Sequence, residues 1–311
     1  MAVKEEQGGA PWYAWPQPLR DREAAALAAA LERLDDRVLL HAYLQTEFTR
    51  QWDAVRAYAH AHGVKCYITV NIMPSNRDLP ALPAYLELLQ DAGADALIIA
   101  DVGVLRMARR YAPKVPVHIS TQTSILNHEA ANYWADDGAE RIVLARELSL
   151  EEIAEICAKT PKELEIEAFV HGAMCISYSG RCLISQYMTG RDANHGACAQ
   201  PCRWNYSLME EKRPGQFFPV EEDGRGTYLY NSKDMCMIEH VPELIEAGIT
   251  SFKIEGRNKT AYYAACVTGA YRAAIDTYKK DPENFVLPQF CRDEVNKVSH
   301  REYYTGFYFG N

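Results

Sequence analysis

The chain has 311 residues, 48% hydrophobic and 24% charged, a globular balance that supports one large domain or two small ones. Its 33 basic residues against 42 acidic ones leave a net charge of −9, which excludes a basic surface spread over the whole molecule, so any contact with nucleic acid must be local. No apolar run of about 18 residues lacks charge, and the opening MAVKEEQGGAPWYAW has neither the basic nor the apolar region of a secretory signal, so a cytoplasmic protein without membrane contact is expected.

Strand-like and helix-like runs alternate along the chain. A weak, proline-interrupted strand is expected at WYAWP (12–16), then a helix at REAAALAAALERL (22–34) and a strand at VLLHAY (38–43). Helix WDAVRAYAHAHG (52–63), strand KCYITVN (65–71), helix LPAYLELLQDAG (82–93) and strand DALIIA (95–100) follow, then strands PVHIS (116–120), RIVLA (141–145), EIEAFVH (165–171) and SFKIE (251–255). Each strand run is short, almost continuously apolar and rich in β-branched or aromatic residues, as suits a strand buried on both faces of a parallel sheet. Gly63 and Gly93 stand where left-handed C-caps would end helices, and DAGADA and DDGAER repeat one helix-to-strand turn. The expected fold is α/β, a TIM-like (β/α)8 barrel with a divergent first strand and a cysteine-rich insertion after the strand ending at His171. The barrel domain would span 1–280 and include the cysteine-rich segment 172–240, with 281–311 as a C-terminal extension.

In such a barrel the chemistry gathers where strands end. Asn71, Asp101, Ser120, Gln122, Arg146, Glu147, His171, Glu255 and Arg257 occupy those ends. For any one of them helix capping or loop hydrogen bonding is the commoner role; together on one rim they outline a polar pocket. The cysteine segment begins at the same rim. Cys175, Cys182, Cys198 and Cys202 are spaced C-x6-C-x15-C-x3-C, and in a reducing cytoplasm clustered thiols point to a metal or redox site rather than to disulfides. An iron–sulfur cubane tolerates such irregular spacing because its irons present corners in different directions. Zinc is the second reading, since only Cys198 and Cys202 approach the short knuckle spacing. A lone catalytic cysteine, Cys175 activated by His171, is the third, and it leaves three cysteines unexplained. Cys66, Cys157 and Cys266 read as small buried residues, while Cys236 and Cys291 stay unassigned. Arg181, Arg191, Arg203, Lys212 and Arg213 make the surroundings locally basic, either an RNA contact or a solvated surface.

The run EAFVHGAMCISYSGRCLIS (167–185), together with GACAQPCRW, NSKDMCMIEHVPELIEAGITSFKIEGR and VSHREYYTGFYFG, resembles the collagenase-like peptidase family, peptidase family U32, over roughly residues 60 to 311. Within it the chain is most similar to the prephenate-dependent tRNA uridine hydroxylases, which install 5-hydroxyuridine at the wobble position; other relatives hydroxylate ribosomal RNA or ubiquinone precursors. The resemblance implies a TIM-like barrel, a [4Fe–4S] cluster on Cys175, Cys182, Cys198 and Cys202, prephenate as co-substrate and tRNA as partner. On this reading Arg181, Arg191 and Arg203 hold phosphate or carboxylate groups, Asn71, Asp101, Ser120 and Gln122 contact substrate, and His171, Glu255 and Arg257 are the catalytic candidates. The family name also implies proteolysis, but the chain has no HExxH helix and no G-x-S-x-G elbow. Hydroxylation of a small molecule is a further alternative. The first 45 residues depart from the family pattern, with WYAWPQP where members open ELLAPAG. Long members continue past TGFYFG into a β-rich domain, so an accessory short form with a longer family paralogue as partner subunit is also expected among the alternatives.

Overall fold

The computed structural model describes residues 35–310 other than 176, 179–180, 205–206, 210–211, 216, 220–221, 224–225 and 228–232. The chain divides into two compact units, Met1–Cys66 and Tyr67–Asn311. In the first unit the described element is helix α1, Asp35–Ala61. It contains VLLHAY, expected as a strand: from 35 to 61 there is no glycine or proline to stop a helix, and leucine, alanine, arginine and glutamine favour one. The helix ends as expected at Gly63, with φ of 70° and the Val64 amide bonded back to the Ala59 carbonyl at 2.8 Å. The expected strand at 12–16 and helix at 22–34 lie outside the described residues.

The second unit starts with β1 (Tyr67–Val70), α2 (Leu82–Asp91), β2 (Ala96–Ile99), α3 (Val102–Tyr111), β3 (Val117–Ile119), α4 (His128–Asp136), β4 (Arg141–Val143), α5 (Leu150–Lys159) and β5 (Glu165–Ala173). The five strands pair in that order, all parallel, with a helix in each crossover. Leu97, Ile99, Ile119, Ile142 and Val170 are at most 1% exposed, which explains why these runs carry no polar alternation. Asn127 caps α4, and Ser149 with Glu152 forms a capping box on α5.

After β5 come α6 (Ile184–Thr189), two short hairpins, β6 (Ser207–Met209) with β7 (Phe217–Pro219) and β8 (Glu222–Asp223) with β9 (Gly226–Thr227), then β10 (Asp234–Cys236), α7 (Val241–Glu246), β11 (Ser251–Ile254), α8 (Ala261–Lys280), α9 (Gln289–Lys297) and β12 (Tyr303–Tyr304). β11 runs parallel to β5 along Glu167–His171, β10 runs antiparallel to His171–Ala173, and β12 joins β10. The result is an α/β unit with a mostly parallel eight-stranded sheet, ordered β1-β2-β3-β4-β5-β10-β12 with β11 on β5. Among the described residues this sheet does not close, so the expected barrel is corrected to an open sheet: VLLHAY is helical, and β10 interrupts the βαβ repeat with an antiparallel strand. β5 also runs two residues past His171. Gly172 permits this at φ of 103°, where an added Cβ would stand 2.5 Å from the Glu255 carbonyl oxygen.

Candidate functional site

Past the ends of β1 to β5 and β11 the chain encloses a cavity of about 410 Å³. Thr69, Ile98, Val143 and Phe169 line it from the strands, and the loops after the strands supply its rim. The cysteine segment forms another wall, fastened by Ser185, whose Oγ donates to the Arg191 carbonyl at 2.7 Å and accepts from the Ala199 amide at 2.9 Å. Asn194 adds a second clasp: its amide side chain accepts from the Cys182 N–H and donates to the Cys182 carbonyl, both at 3.2 Å.

Cys175, Cys182, Cys198 and Cys202 all line this cavity. Three of the sulfurs receive a backbone amide from two residues on: Ile184 donates to Cys182 and Gln200 to Cys198, both at 3.3 Å, and Ser177 donates to Cys175. Amides aimed at sulfur stabilise a thiolate and tune a cluster that it ligates. Gln200 takes a left-handed φ of 58°, a cost of about 1 kcal/mol for a residue with a Cβ. Burial pushes the Cys175 thiol up, opposed by the Ser177 amide and the Arg146 charge. Among the described residues no three His, Cys, Asp or Glu side chains are grouped to hold a metal ion. Four thiols around a shared cavity, rather than around a point, suit a group with several irons better than a single tetrahedral ion, and the all-sulfur donor set fits it.

Next to the thiols sits a cation without a full set of partners. The Arg146 Nε is buried with no hydrogen-bond partner, and its guanidinium carbon lies 3.9 Å from the centre of the Phe169 ring. Lys253 Nζ approaches the same ring at 5.5 Å. Burial draws the Arg146 pKa down while Cys175 and Glu255 draw it up. A buried, unsatisfied donor of this kind costs about 1–3 kcal/mol, so an anion in the cavity would be favoured there.

The structure brings most of the expected rim residues together. Asn71, Ser120, Gln122, Arg191, Arg203, Glu255 and Arg257 line the cavity with the cysteines. Asn71 Nδ2 donates to Ser120 Oγ at 3.3 Å, and Arg203 reaches the Met174 carbonyl at 3.5 Å. Arg181 is exposed at the edge, its Nε donating to the Gln122 carbonyl at 2.9 Å, and is not part of the lining. Asp101 is placed differently from the expectation: its carboxylate caps α3, accepting from the Val104 amide at 3.0 Å, outside the cavity. His171 also lies outside. It is 1% exposed, with its ring nitrogens 3.4 Å from the hydroxyls of Tyr271 and Tyr303. Cys236, close to His171 through the β5–β10 pairing, lines a separate cavity of about 320 Å³. Lys253, Phe169 and Asn194 belong to the first cavity and were not singled out by sequence; the first two look like ordinary strand residues, and the third like an ordinary turn residue.

Two buried histidines make stability acid-sensitive. Burial, the largest cause in each, holds His118 and His171 down to about 4 from an ordinary 6.5. A folded pKa below the unfolded one means that the unfolded chain binds the proton first. Stability is therefore complete above about pH 6.5, declines as pH falls toward 4, and loses about 3 kcal/mol per histidine by then. Urea unfolding at pH 7 and pH 4.5 should show this fall, and His118→Gln should flatten it; an unchanged slope in that variant would contradict the assignment.

A family model described as Peptidase family U32 matches residues 39–311. The chain is 43% identical over 253 residues to a tRNA hydroxylation protein P1 of Bacillus subtilis (strain 168), covering 81% of this chain and 59% of that one. It is 38% identical over 290 residues to a tRNA hydroxylation protein P of Escherichia coli (strain K12), at 80% and 63% coverage. It is 41% identical over 255 residues to an uncharacterized protease of Methanocaldococcus jannaschii, at 81% and 61% coverage. The match thus spans less than two thirds of each of these relatives.

Proposed function

The chain belongs to peptidase family U32, and from that membership and the cavity we propose that it is an iron–sulfur tRNA hydroxylase that converts the wobble uridine to 5-hydroxyuridine. The relatives' names divide between hydroxylation and proteolysis, and the observation that supports hydroxylation here is the wall of four cysteines beside the buried, unpartnered Arg146 Nε. A peptidase reading has no comparable support. The His195 ring, at the cavity's edge, pairs with Asp192 at 2.7 Å, but the nearby Ser75 hydroxyl donates to Asp78 rather than to the imidazole, so no nucleophile is activated there.

On this reading Cys175, Cys182, Cys198 and Cys202 would hold a [4Fe–4S] cluster. Such a group, with a thiolate on every iron, would supply electron transfer for a redox step. Arg146 and Lys253, on either approach to Phe169, would bind the carboxylates of a prephenate-like co-substrate, with Arg257 and Arg191 closing over it. Asn71, Ser120 and Gln122 would take the uracil edge, since amide side chains offer both donor and acceptor. Glu255, beside Arg146, is the group placed to accept or return a proton.

Nucleoside analysis of tRNA from a deletion strain tests the reading: 5-hydroxyuridine and its derivatives should vanish and return with the wild-type chain. Complementation with Arg146→Met should leave iron content intact yet lower the modification about tenfold to a hundredfold, the loss of one buried charge-assisted contact. Unchanged modification in the deletion strain would sink the hydroxylase assignment; full activity of the variant would remove Arg146 from it.

A further inference from the structure

The cysteine segment carries large apolar side chains that stay exposed to solvent. Tyr187 is 91% exposed and Leu183 73%, and Tyr178 and Trp204 are exposed by about half. They are tied to the cavity by position. Leu183 sits between Cys182 and Ile184, which both line it; Tyr187 lies one turn on, four residues after Leu183, and so shares its face; Trp204 directly follows the lining Arg203. Ile184 turns inward and Ser185 is stapled to the Cys198 loop, which leaves Leu183 and Tyr187 facing out at the mouth.

Within the segment positive charge prevails, although Asp78 stands against His195 and Glu147 and Glu152 act on Tyr178 from neighbouring elements. Within residues 174–204 there are three arginines, Arg181, Arg191 and Arg203, and one acid, Asp192, in a chain whose acids outnumber its bases overall. Asp192 is already engaged by His195 and the Asn194 amide, and that contact raises the His195 pKa toward the charged form. Arg181 and Arg191 are exposed. Exposed aromatic faces interleaved with exposed arginines match single-stranded RNA, whose unpaired bases stack on aromatic rings while its phosphates meet arginine; a duplex, with its bases already stacked, gains only the second contact.

We propose that Tyr178, Leu183, Tyr187 and Trp204, with Arg181 and Arg191, form a stacking platform for the unpaired loop nucleotides flanking the base that enters the cavity. The proposal rests on the tRNA-modifying reading and adds the form of RNA recognised. The test uses anaerobically purified full chain, a fluorescent RNA stem-loop with unpaired uridines, and the same strand annealed to its complement. The wild type should prefer the loop. Tyr187→Ala and Trp204→Ala should each weaken loop binding roughly tenfold or more with iron content unchanged, and leave duplex binding as it was. Tyr133→Ala, an exposed aromatic on α4 outside the cavity lining, serves as the control and should bind like wild type. If wild type modifies tRNA while both platform variants bind the loop normally, the platform is wrong and the hydroxylase reading stands. If the variants lose only association with another protein, the patch is a protein interface and the proposal is overturned. Wild type that neither binds the loop nor restores modified nucleosides would fail both.

Discussion

Replacing Cys175, Cys182, Cys198 or Cys202 by serine is expected to strip iron and acid-labile sulfide from anaerobically purified protein, which in the wild type should hold about four of each per chain. Hydroxylation of tRNA should then fall by more than about a hundredfold, because changes merely beside a metal ligand already cost about ten- to a hundredfold. The four side chains share one cavity, so each loss should be near complete rather than graded. Cys236→Ser is the informative control. Cys236 resembles the others in receiving an amide from two residues on, Ile238, but it lines the other cavity and its iron content should match wild type. Iron lost from Cys236→Ser and kept by Cys202→Ser would reassign the fourth ligand.

The largest effect on stability is expected at Glu167. This carboxylate, 6% exposed on β5, accepts from Arg141 of β4 at 2.9 Å, from Lys253 of β11 at 2.5 Å and from Ser251 at 2.9 Å. Burial would raise its pKa, but Lys253, Ser251 and Arg141 outweigh burial and hold it below the usual carboxylate range. Glu167→Ala leaves Lys253 without this anion and Arg141 with only the exposed Glu165, and should cost about 3–5 kcal/mol, read as a lowered urea midpoint. The triple change Glu167→Leu, Arg141→Met, Lys253→Met should cost far less, because the one charge it strands, the Arg141 partner Glu165, is exposed to solvent. Equal losses in the two proteins would mean that packing volume, not charge, governs the site.

Much of this arrangement was legible in the residues. Six of the expected strands exist; β2 to β5 are buried on both faces and therefore read as nearly continuous apolar runs, while β1 and β11 are half-buried, and the glycine-ended helices stop where a left-handed residue is needed. VLLHAY failed because a run of six residues, five of them apolar, carries no period that separates strand from helix. β10 was invisible since Asp-Met-Cys is too short to show alternation, and its antiparallel pairing depends on where β5 happens to end. The four cysteines stood out because they crowd one segment that begins directly after the strand carrying His171, and the family resemblance named them as one set. Asp101 and His171 were misplaced by the same logic: a polar residue at a strand end caps a helix or sits inside a longer strand as readily as it faces a pocket. The lone buried Nε of Arg146 has no sequence signature at all, being a property of what surrounds it.

Strand β5 serves as a common datum for two separate constructions. Its first half locates β11, and through Glu255 and Arg257 one wall of the cysteine cavity; its last three residues locate β10, and with it the wall that carries Cys236. The changeover falls at His171, which pairs with both Ile254 and Cys236, and the next residue, Gly172, lacks the side chain that would meet the Glu255 carbonyl. An error in the placement of β5 is therefore inherited by both cavities at once, whereas an error in the cysteine segment stays local to one. The strand beneath the segment is held to the finer tolerance, because two cavities inherit its position.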